Sequence, residues 1–516
     1  LMATDLLIIG CGIAGCSAAL EAARQGLSVL MITKSKEPEE SNTFHAQGGI
    51  IYKGRNDSEK LLMKDLMRAG AGLCKYNAID VLSGKGPVLV EKILMKELKV
   101  NFDRTSRDEL HLTEEGAHSI PRIIHAEDLT GKAIELAFIK GIKKYKNITV
   151  KTSLSAIDLL TLSHHSLNPL DIYKEPTCAG AYVFDQTANK VFPVMAKETL
   201  LATGGIGRLY LHTTNPKGAR GDGIAMAYRA GARIQNMEYI QFHPTALYHP
   251  DGERFLLSES MRGEGARLIN KKGESFMDKY HKLGSLAPRD IVARGIHEEM
   301  LQDGSECVFL DISHKKAEWI KKRFPNIYKK CLEFKIDITK QPIPVVPAAH
   351  YSCGGIVVDT EGRTSIKRLR AAGEVACSGI HGANRLASSS LLEGLVWGTL
   401  AGESIAREVK EMKIDFPKIS AWKYEKEEAD PALILQDWLT IRHTMWNYVG
   451  LVRTTKRLAR AEKILTELQS EIEEFYRYSV LSDDLIGLRN GIQASLVILQ
   501  AAKVNRKSRG CHYRKD

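Results

Sequence analysis

No Cys-x-x-Cys pair occurs among the nine cysteines of this chain. That absence argues against structural zinc, a local iron–sulfur motif and a disulfide framework, and it points to a reducing compartment, the cytoplasm. No long block of like charge occurs either. Against 62 acidic residues stand 73 basic ones, a net charge of +11 that is mild over 516 residues. Such an excess can serve nucleic acid or draw in anionic small molecules. Several histidines and arginines stand in glycine-rich loops, which favours the small molecules. The most apolar stretch, Leu6 to Leu20, is short and broken by glycine, so no membrane span is expected. The first residues already enter a strand, which leaves no visible signal peptide. Internal repeats and low-complexity segments are lacking. With 44% hydrophobic and 26% charged residues the chain reads as soluble and globular, and its length calls for two or three domains.

What is present begins with DLLIIGCGIAGCSAALEAARQGLSVLMITK. Leu6 to Ile9 read as a buried strand, an alanine-rich helix follows, and Ser28 to Thr33 form the next strand. Between strand and helix lie Gly10, Cys11, Gly12, Ile13, Ala14 and Gly15. Gly10 makes the tight turn, Gly12 admits a pyrophosphate close to the backbone, and Gly15 lets helix and strand touch. Phosphates then rest on the free N–H groups of the helix N-terminus. The second strand ends in Thr33-Lys34-Ser35 rather than in an acid for the ribose. A hydroxyl or backbone contact must replace that acid, and Lys34 is placed to meet a phosphate.

Glycine-rich elements return far downstream, in LLATGGIGRLY and in LRAAGEVACSGIHGANRLASSSLLEGLVWG. A chain that comes back to its first domain after hundreds of residues suits a two-domain flavoprotein. Glu374 would then hold the ribityl chain. The helix starting near Ser389 would aim its N-terminus at the flavin and stabilise negative charge on its reduced form. Between about Gln235 and Ser352, polar side chains stand beside proline or glycine, as in loops lining a site. After about Pro417 the pattern turns helical, with Leu458, Ala461, Leu465, Leu468 and Ile472 on one apolar face.

IIGCGIAG, SNTFHAQGGI, TTNPKGARGDGIAMAYRAGA, QFHPTALYHP, RGEGA, LAPRDIVARG, VPAAHYSCGG, GEVACSGIHGANRLASSSLLEG and SRGCHY run through nearly the whole chain. Together they resemble the succinate dehydrogenase/fumarate reductase flavoprotein family, and within it the branch acting on L-aspartate. The resemblance implies an α/β fold: a Rossmann-like FAD-binding domain (1–234 and 353–414), an inserted α+β capping domain (235–352) and a C-terminal helical bundle domain (415–516). It implies FAD, no metal, and cofactor contacts from the Gly10–Gly15 turn, Lys34, Asn42, Thr43, Phe44, His45, Ala46, Gln47, Gly48, Gly49, Asp222, Glu374, Ser390 and Leu391. It places His243, His350 and Arg385 on the substrate carboxylates, with Ser258 and Glu259 beside them. Ser258 stands where the family commonly has threonine. Arg289 matches the arginine assigned proton transfer, with Glu259 and Arg262 as relay partners.

Two further positions discriminate within the family. A carboxylate in an anion site would repel succinate but attract the α-ammonium of aspartate. The segment LHLTEEGAHSIPR matches the loop supplying that carboxylate, and alignment on Gly116 and His118 places it at Glu115, with Glu114 in solvent. Membrane-bound relatives attach FAD through a histidine in the loop of SNTFHAQGGI. Here that position is Asn42, and His45 lies three residues later, so non-covalent FAD is expected. The implied reaction oxidises L-aspartate to iminoaspartate, the first step of NAD synthesis. Dioxygen or fumarate would reoxidise the flavin, and the imine would pass to quinolinate synthase. The alternatives are a soluble fumarate reductase, a basic FAD protein acting on tRNA and an inert flavin-binding assembly subunit. The filled substrate set disfavours the last two, so no nucleic acid or membrane partner is expected.

Overall fold

The glycine turn at residue 10 joins the first strand to the first helix of a parallel sheet. A computed structural model describes residues 2–127, 129–250, 252, 254–425 and 427–516; the expected domain ranges also include Leu1, Asp128, Asp251, Glu253 and Lys426, which lie outside the described residues. Met2–Ile9 pairs in parallel with Val29–Ile32 on one side and with Lys190–Leu201 on the other. Ile148–Lys151 extends one edge, and Leu369–Ala371 pairs in parallel with Lys190–Leu201. Two antiparallel strands, Cys178–Asp185 and Leu154–Thr161, complete the seven-stranded sheet. Leu6, Leu7 and Ile8 are fully buried, as expected of a parallel strand covered on both faces.

The return of the chain is sealed by helix contact. Ile13–Arg24 packs along Ser389–Val409. A Cβ on Gly398 would lie 2.3 Å from the carbonyl oxygen of Ala14, and one on Gly402 would lie 2.7 Å from that of Ala18. Only glycine lets these two backbones touch.

The middle of the chain forms a second, antiparallel sheet of five strands. Its two long strands are Ile240–Leu247 and Ile343–Ser352. A separate apolar core, including Leu247, Leu268, Ile296, Leu310 and Val346, lies under this sheet. The near ends of the same strands, at Ile240, Phe242 and Ala349, belong instead to the main core. Each strand therefore runs from one core into the other and carries a histidine, His243 or His350, at the junction.

Three helices end the chain: Pro431–Tyr448, Thr455–Tyr478 and Asp483–Val504. Asp430, Thr454 and Ser482 cap them by accepting from Ala432, Arg457 and Leu485 N–H groups. Helix begins at Pro431 rather than soon after Pro417, because the intervening segment is irregular. The buried residues of Thr455–Tyr478 are Leu458, Ala461, Leu465, Leu468 and Ile472, the stripe read from the sequence. Asp483–Val504 is long and apolar enough, by length and composition alone, to cross a membrane. Its apolar window is 67% buried within the protein, with Leu488, Ile492 and Leu499 in the main core.

Candidate functional site

A cavity of about 1540 Å³ runs between the parallel sheet and the antiparallel one. All the residues assigned to cofactor or substrate line it, except Gly15. Gly15 lies beneath the turn, where a Cβ would sit 2.2 Å from the carbonyl oxygen of Gly10.

At one end the helix Ile13–Arg24 opens onto the cavity, and its N-cap residue, Gly12, offers no side chain to its first N–H groups, a ready place for phosphate. Thr43 Oγ1 accepts from Ile13 N–H at 3.1 Å and holds the 41–49 loop over the turn. Two buried polar atoms at this end, Asn42 Oδ1 and Thr203 Oγ1, have no hydrogen-bond partner among the described residues. Asn42 Nδ2 donates to Glu374 Oε2 at 2.7 Å, and Ser352 N–H donates to Glu374 Oε1 at 3.1 Å. Burial still pushes the Glu374 carboxyl up to about 7. Orphaned donors and acceptors beside a glycine cradle fit a flavin dinucleotide.

Lys34 differs from its simplest reading. Its ammonium pairs with Asp222 and donates to the Gly218 carbonyl oxygen at 2.5 Å. Asp222 also accepts from Asn490 at 2.8 Å and lies 3.4 Å from Arg220. Burial opposes its charge, but Arg220 and Lys34 outweigh burial and lower its pKa. Lys34 and Asp222 thus face the cavity as an ion pair whose charges are already committed. His45 is exposed and stands 3.4 Å from Glu40.

The other end is crowded with cations. Arg289 opens the helix Arg289–Asp303. Its Nε donates to Glu259 Oε2 at 2.5 Å, and Arg262 Nη2 lies 3.3 Å from Glu259 Oε1. Burial raises the Glu259 pKa, but Arg289 and Arg262 outweigh it and hold the carboxylate ionised. Burial lowers the pKa of Arg289, while Glu259 and Glu115 raise it to a net increase. An arginine–carboxylate–arginine chain therefore leads from the cavity into the capping core.

His243 and His350 face each other with ring centroids 5.6 Å apart. Burial, then Arg289 and Arg262, holds His243 well below its ordinary pKa; burial, then Arg385, does the same for His350. Both rings are neutral at pH 7. Thr245 N–H points at His243 Nδ1 at 3.3 Å, which puts the ring proton on Nε2. His350 Nδ1 meets Thr214 Oγ1 at 2.8 Å. Arg385 donates through Nε to Gln241 Oε1 at 3.0 Å and lies 5.0 Å over the Tyr351 ring. Ser258 Oγ stands 2.8 Å from Ser260 Oγ.

Near these donors the cavity also receives the carboxylate of Glu115. Glu115 Oε2 accepts from Ser388 Oγ at 2.7 Å, while its neighbour Glu114 is exposed. Ser388 sits at φ +59°, in the left-handed region, just before the helix Ser389–Val409. A Cβ on Gly48 would lie 3.2 Å from Glu115 Oε1, so Gly48 admits the carboxylate beside the cofactor loop. Sequence reasoning missed Gln241, Tyr351, Thr214 and Ser388. All four lay inside quoted motifs, but nothing local marked their roles or the left-handed backbone of Ser388.

Comparison with known proteins gives a consistent picture. A family described as FAD binding domain matches residues 5–391, and one described as fumarate reductase flavoprotein C-term matches 439–516. An L-aspartate oxidase of Ralstonia nicotianae is 45% identical over 99% of this chain and 95% of its own length. The chloroplastic L-aspartate oxidase of Arabidopsis thaliana is 40% identical over 99% and 81%. Among solved structures, an E. coli quinol fumarate reductase superposes with TM-score 0.87 at 26% identity, covering all of this chain and 91% of the other. Mycobacterium smegmatis Sdh1 gives 0.84 at 30%, covering 100% and 90%.

Proposed function

The chain belongs to the L-aspartate oxidases, in the succinate dehydrogenase/fumarate reductase flavoprotein family, and from that premise we propose how its cavity works. It is an FAD-dependent oxidoreductase that converts L-aspartate to iminoaspartate, the opening step of NAD synthesis. FAD, when bound, supplies the hydride acceptor. The Gly10–Gly15 turn, the Asn42–Gly49 loop, Glu374, Ser390 and Leu391 hold it. Asn42 at the attachment position leaves the link non-covalent.

The observation that carries the substrate reading is Glu115, set across the cavity end from Arg289, Arg385, His243 and His350. A dicarboxylate leaves water only where both its charges meet donors. Arg385 grips one carboxylate with a planar fork, and the neutral imidazoles donate to the other without adding charge. Glu115 pairs with the α-ammonium and accepts its proton before hydride departs from C2. Arg289 orients the bound acid. In the reverse sense, on fumarate, it delivers a proton that Glu259 and Arg262 replenish. A soluble fumarate reductase is the second reading; Glu115 disfavours it, because it would repel a plain dicarboxylate.

Dioxygen and fumarate are the acceptors, and the short-lived imine passes to quinolinate synthase. Nine free cysteines fit the cytoplasm. The test is anaerobic mixing of the purified holoprotein with L-aspartate or succinate. Rapid loss of flavin absorbance with aspartate alone is expected. Equal or faster bleaching by succinate would overturn the reading.

A further inference from the structure

Cysteines that are scattered in sequence converge behind the substrate arginine. Cys353 follows the strand that carries His350 and Tyr351 and is 4% exposed. Cys511, in the C-terminal segment, is only partly buried and packs against the cluster that contains Cys353. The two pack in one small cluster with Tyr239, Tyr351 and Ala383. A third thiol, Cys74, borders Cys353 but is spent on the carbonyl oxygens of Leu66 and Ile380, at 3.3 and 3.1 Å.

This thiol pair is wired to the site by hydrogen bonds. Cys511 N–H donates to the Ala383 carbonyl oxygen at 2.9 Å. Cys511 Sγ donates to Asn384 Oδ1 at 3.1 Å. The same Oδ1 accepts from Gln241 Nε2 at 2.7 Å. Gln241 in turn accepts from Arg385 Nε at 3.0 Å and donates to the Arg385 carbonyl oxygen at 3.0 Å. Arg385 therefore hangs on a bridge whose far support is a thiol proton.

We propose that Cys353 and Cys511 form an oxidation-sensitive pair whose disulfide weakens substrate binding through Asn384, Gln241 and Arg385. The step balances with a two-electron oxidant such as hydrogen peroxide. Two S–H bonds and the O–O bond break, one S–S bond forms, each sulfur gives up one electron, and two waters leave. Forming the bond draws Cys511 Sγ toward Cys353 and removes the proton it gives to Asn384. Asn384 and Gln241 then relax, and the fork of Arg385 moves off its carboxylate. The neighbouring Cys353 thiol, then burial, keeps Cys511 in its thiol form, so oxidation is slow and accumulates with exposure.

The test treats the FAD-loaded enzyme with hydrogen peroxide, blocks remaining thiols, and maps peptides without reduction. A Cys353–Cys511 linked peptide is expected, with an aspartate KM raised roughly tenfold, as for a misplaced charge-assisted contact. Flavin content should hold, and dithiothreitol should restore KM. Cys353→Ser leaves the Cys511 donor to Asn384 in place and should start near the wild-type KM but ignore peroxide. Absence of the linked peptide would overturn the proposal, as would a linked peptide with unchanged KM. An equal peroxide response in Cys353→Ser would also overturn it. The kinetic arm rests on the aspartate reading, whereas the peptide map does not. Failure to turn over aspartate before any oxidation would sink that reading and leave the map standing.

Discussion

The two ends of the cavity are built by different means. At the cofactor end, recognition comes from backbone N–H groups, glycine and a few orphaned atoms, Asn42 Oδ1 and Thr203 Oγ1. Its nearby charges, Lys34 and Asp222, already satisfy each other. At the substrate end, the proposed recognition rests on acidic and basic side chains drawn from several distant segments: Glu115, Glu259, Arg262, Arg289 and Arg385. A large, fixed cofactor can be held by shape and partial charge. A small dianion with an ammonium must be told from its analogues by whole charges. Charge changes at the substrate end should therefore be large and substrate-selective, and those at the cofactor end should be neither.

The largest effect is expected at Arg289. Arg289→Lys keeps the charge but loses the planar fork that reaches both Glu259 and the cavity. Fumarate reduction, which needs a placed proton, should fall roughly 10²–10⁴-fold, the range for a lost general acid. Aspartate oxidation should fall less, since the amine lone pair drives hydride loss. Steady-state rates in both directions, with flavin content measured alongside, decide it. Equal losses would mean that Arg289 only binds.

Next comes Glu115. Glu115→Gln keeps size and the contact with Ser388 but removes the charge. A partly buried charge-assisted bond contributes roughly 1.5–3 kcal/mol, so kcat/KM for aspartate should drop about ten- to a hundredfold. Fumarate lacks an ammonium, so its affinity should hold or improve. Glu114→Gln, on the exposed neighbour, should change neither. If Glu114→Gln gave the selective loss, the carboxylate would come from the other residue.

The same contrast explains what was legible. Contiguous features read directly: the Gly10–Gly15 turn, the flanking strands and the Leu458–Ile472 stripe each depend on local spacing. The substrate end was reachable only through family motifs, because Glu115, Glu259, Arg289 and Arg385 stand far apart in sequence and only the fold brings them to one cavity. Features that join unrelated segments were not legible at all. The pairing of Lys34 with Asp222 spans 188 positions, and cysteines without a local motif gave no hint that Cys353 and Cys511 share one cluster. The membrane-length helix Asp483–Val504 escaped notice because its apolar run carries scattered polar residues that the fold buries with it.

The smallest effect on selectivity is expected at Glu374, the titrating acid of the cofactor end. Its carboxyl is raised from an ordinary 4.5 to about 7 by burial, despite donors from Ser352 and Asn42. The folded apoprotein therefore binds this proton more tightly than the unfolded chain does. The resulting stability is fully present below pH 4.5 and is lost as pH rises through about 7. From the size of the shift it amounts to at most about 3 kcal/mol. Glu374→Gln removes the titration and one acceptor, so the variant should be less stable at low pH but nearly flat between pH 5 and 7.5. Urea unfolding of flavin-free protein across that range measures the slope. Flavin affinity should weaken, because a side chain shared by Asn42 and Ser352 has lost a partner. The ratio of aspartate to fumarate turnover in the flavin-loaded variant should stay as in the wild type. A shifted ratio would show that charge at the cofactor end also selects substrate, and the division between the two ends would fail.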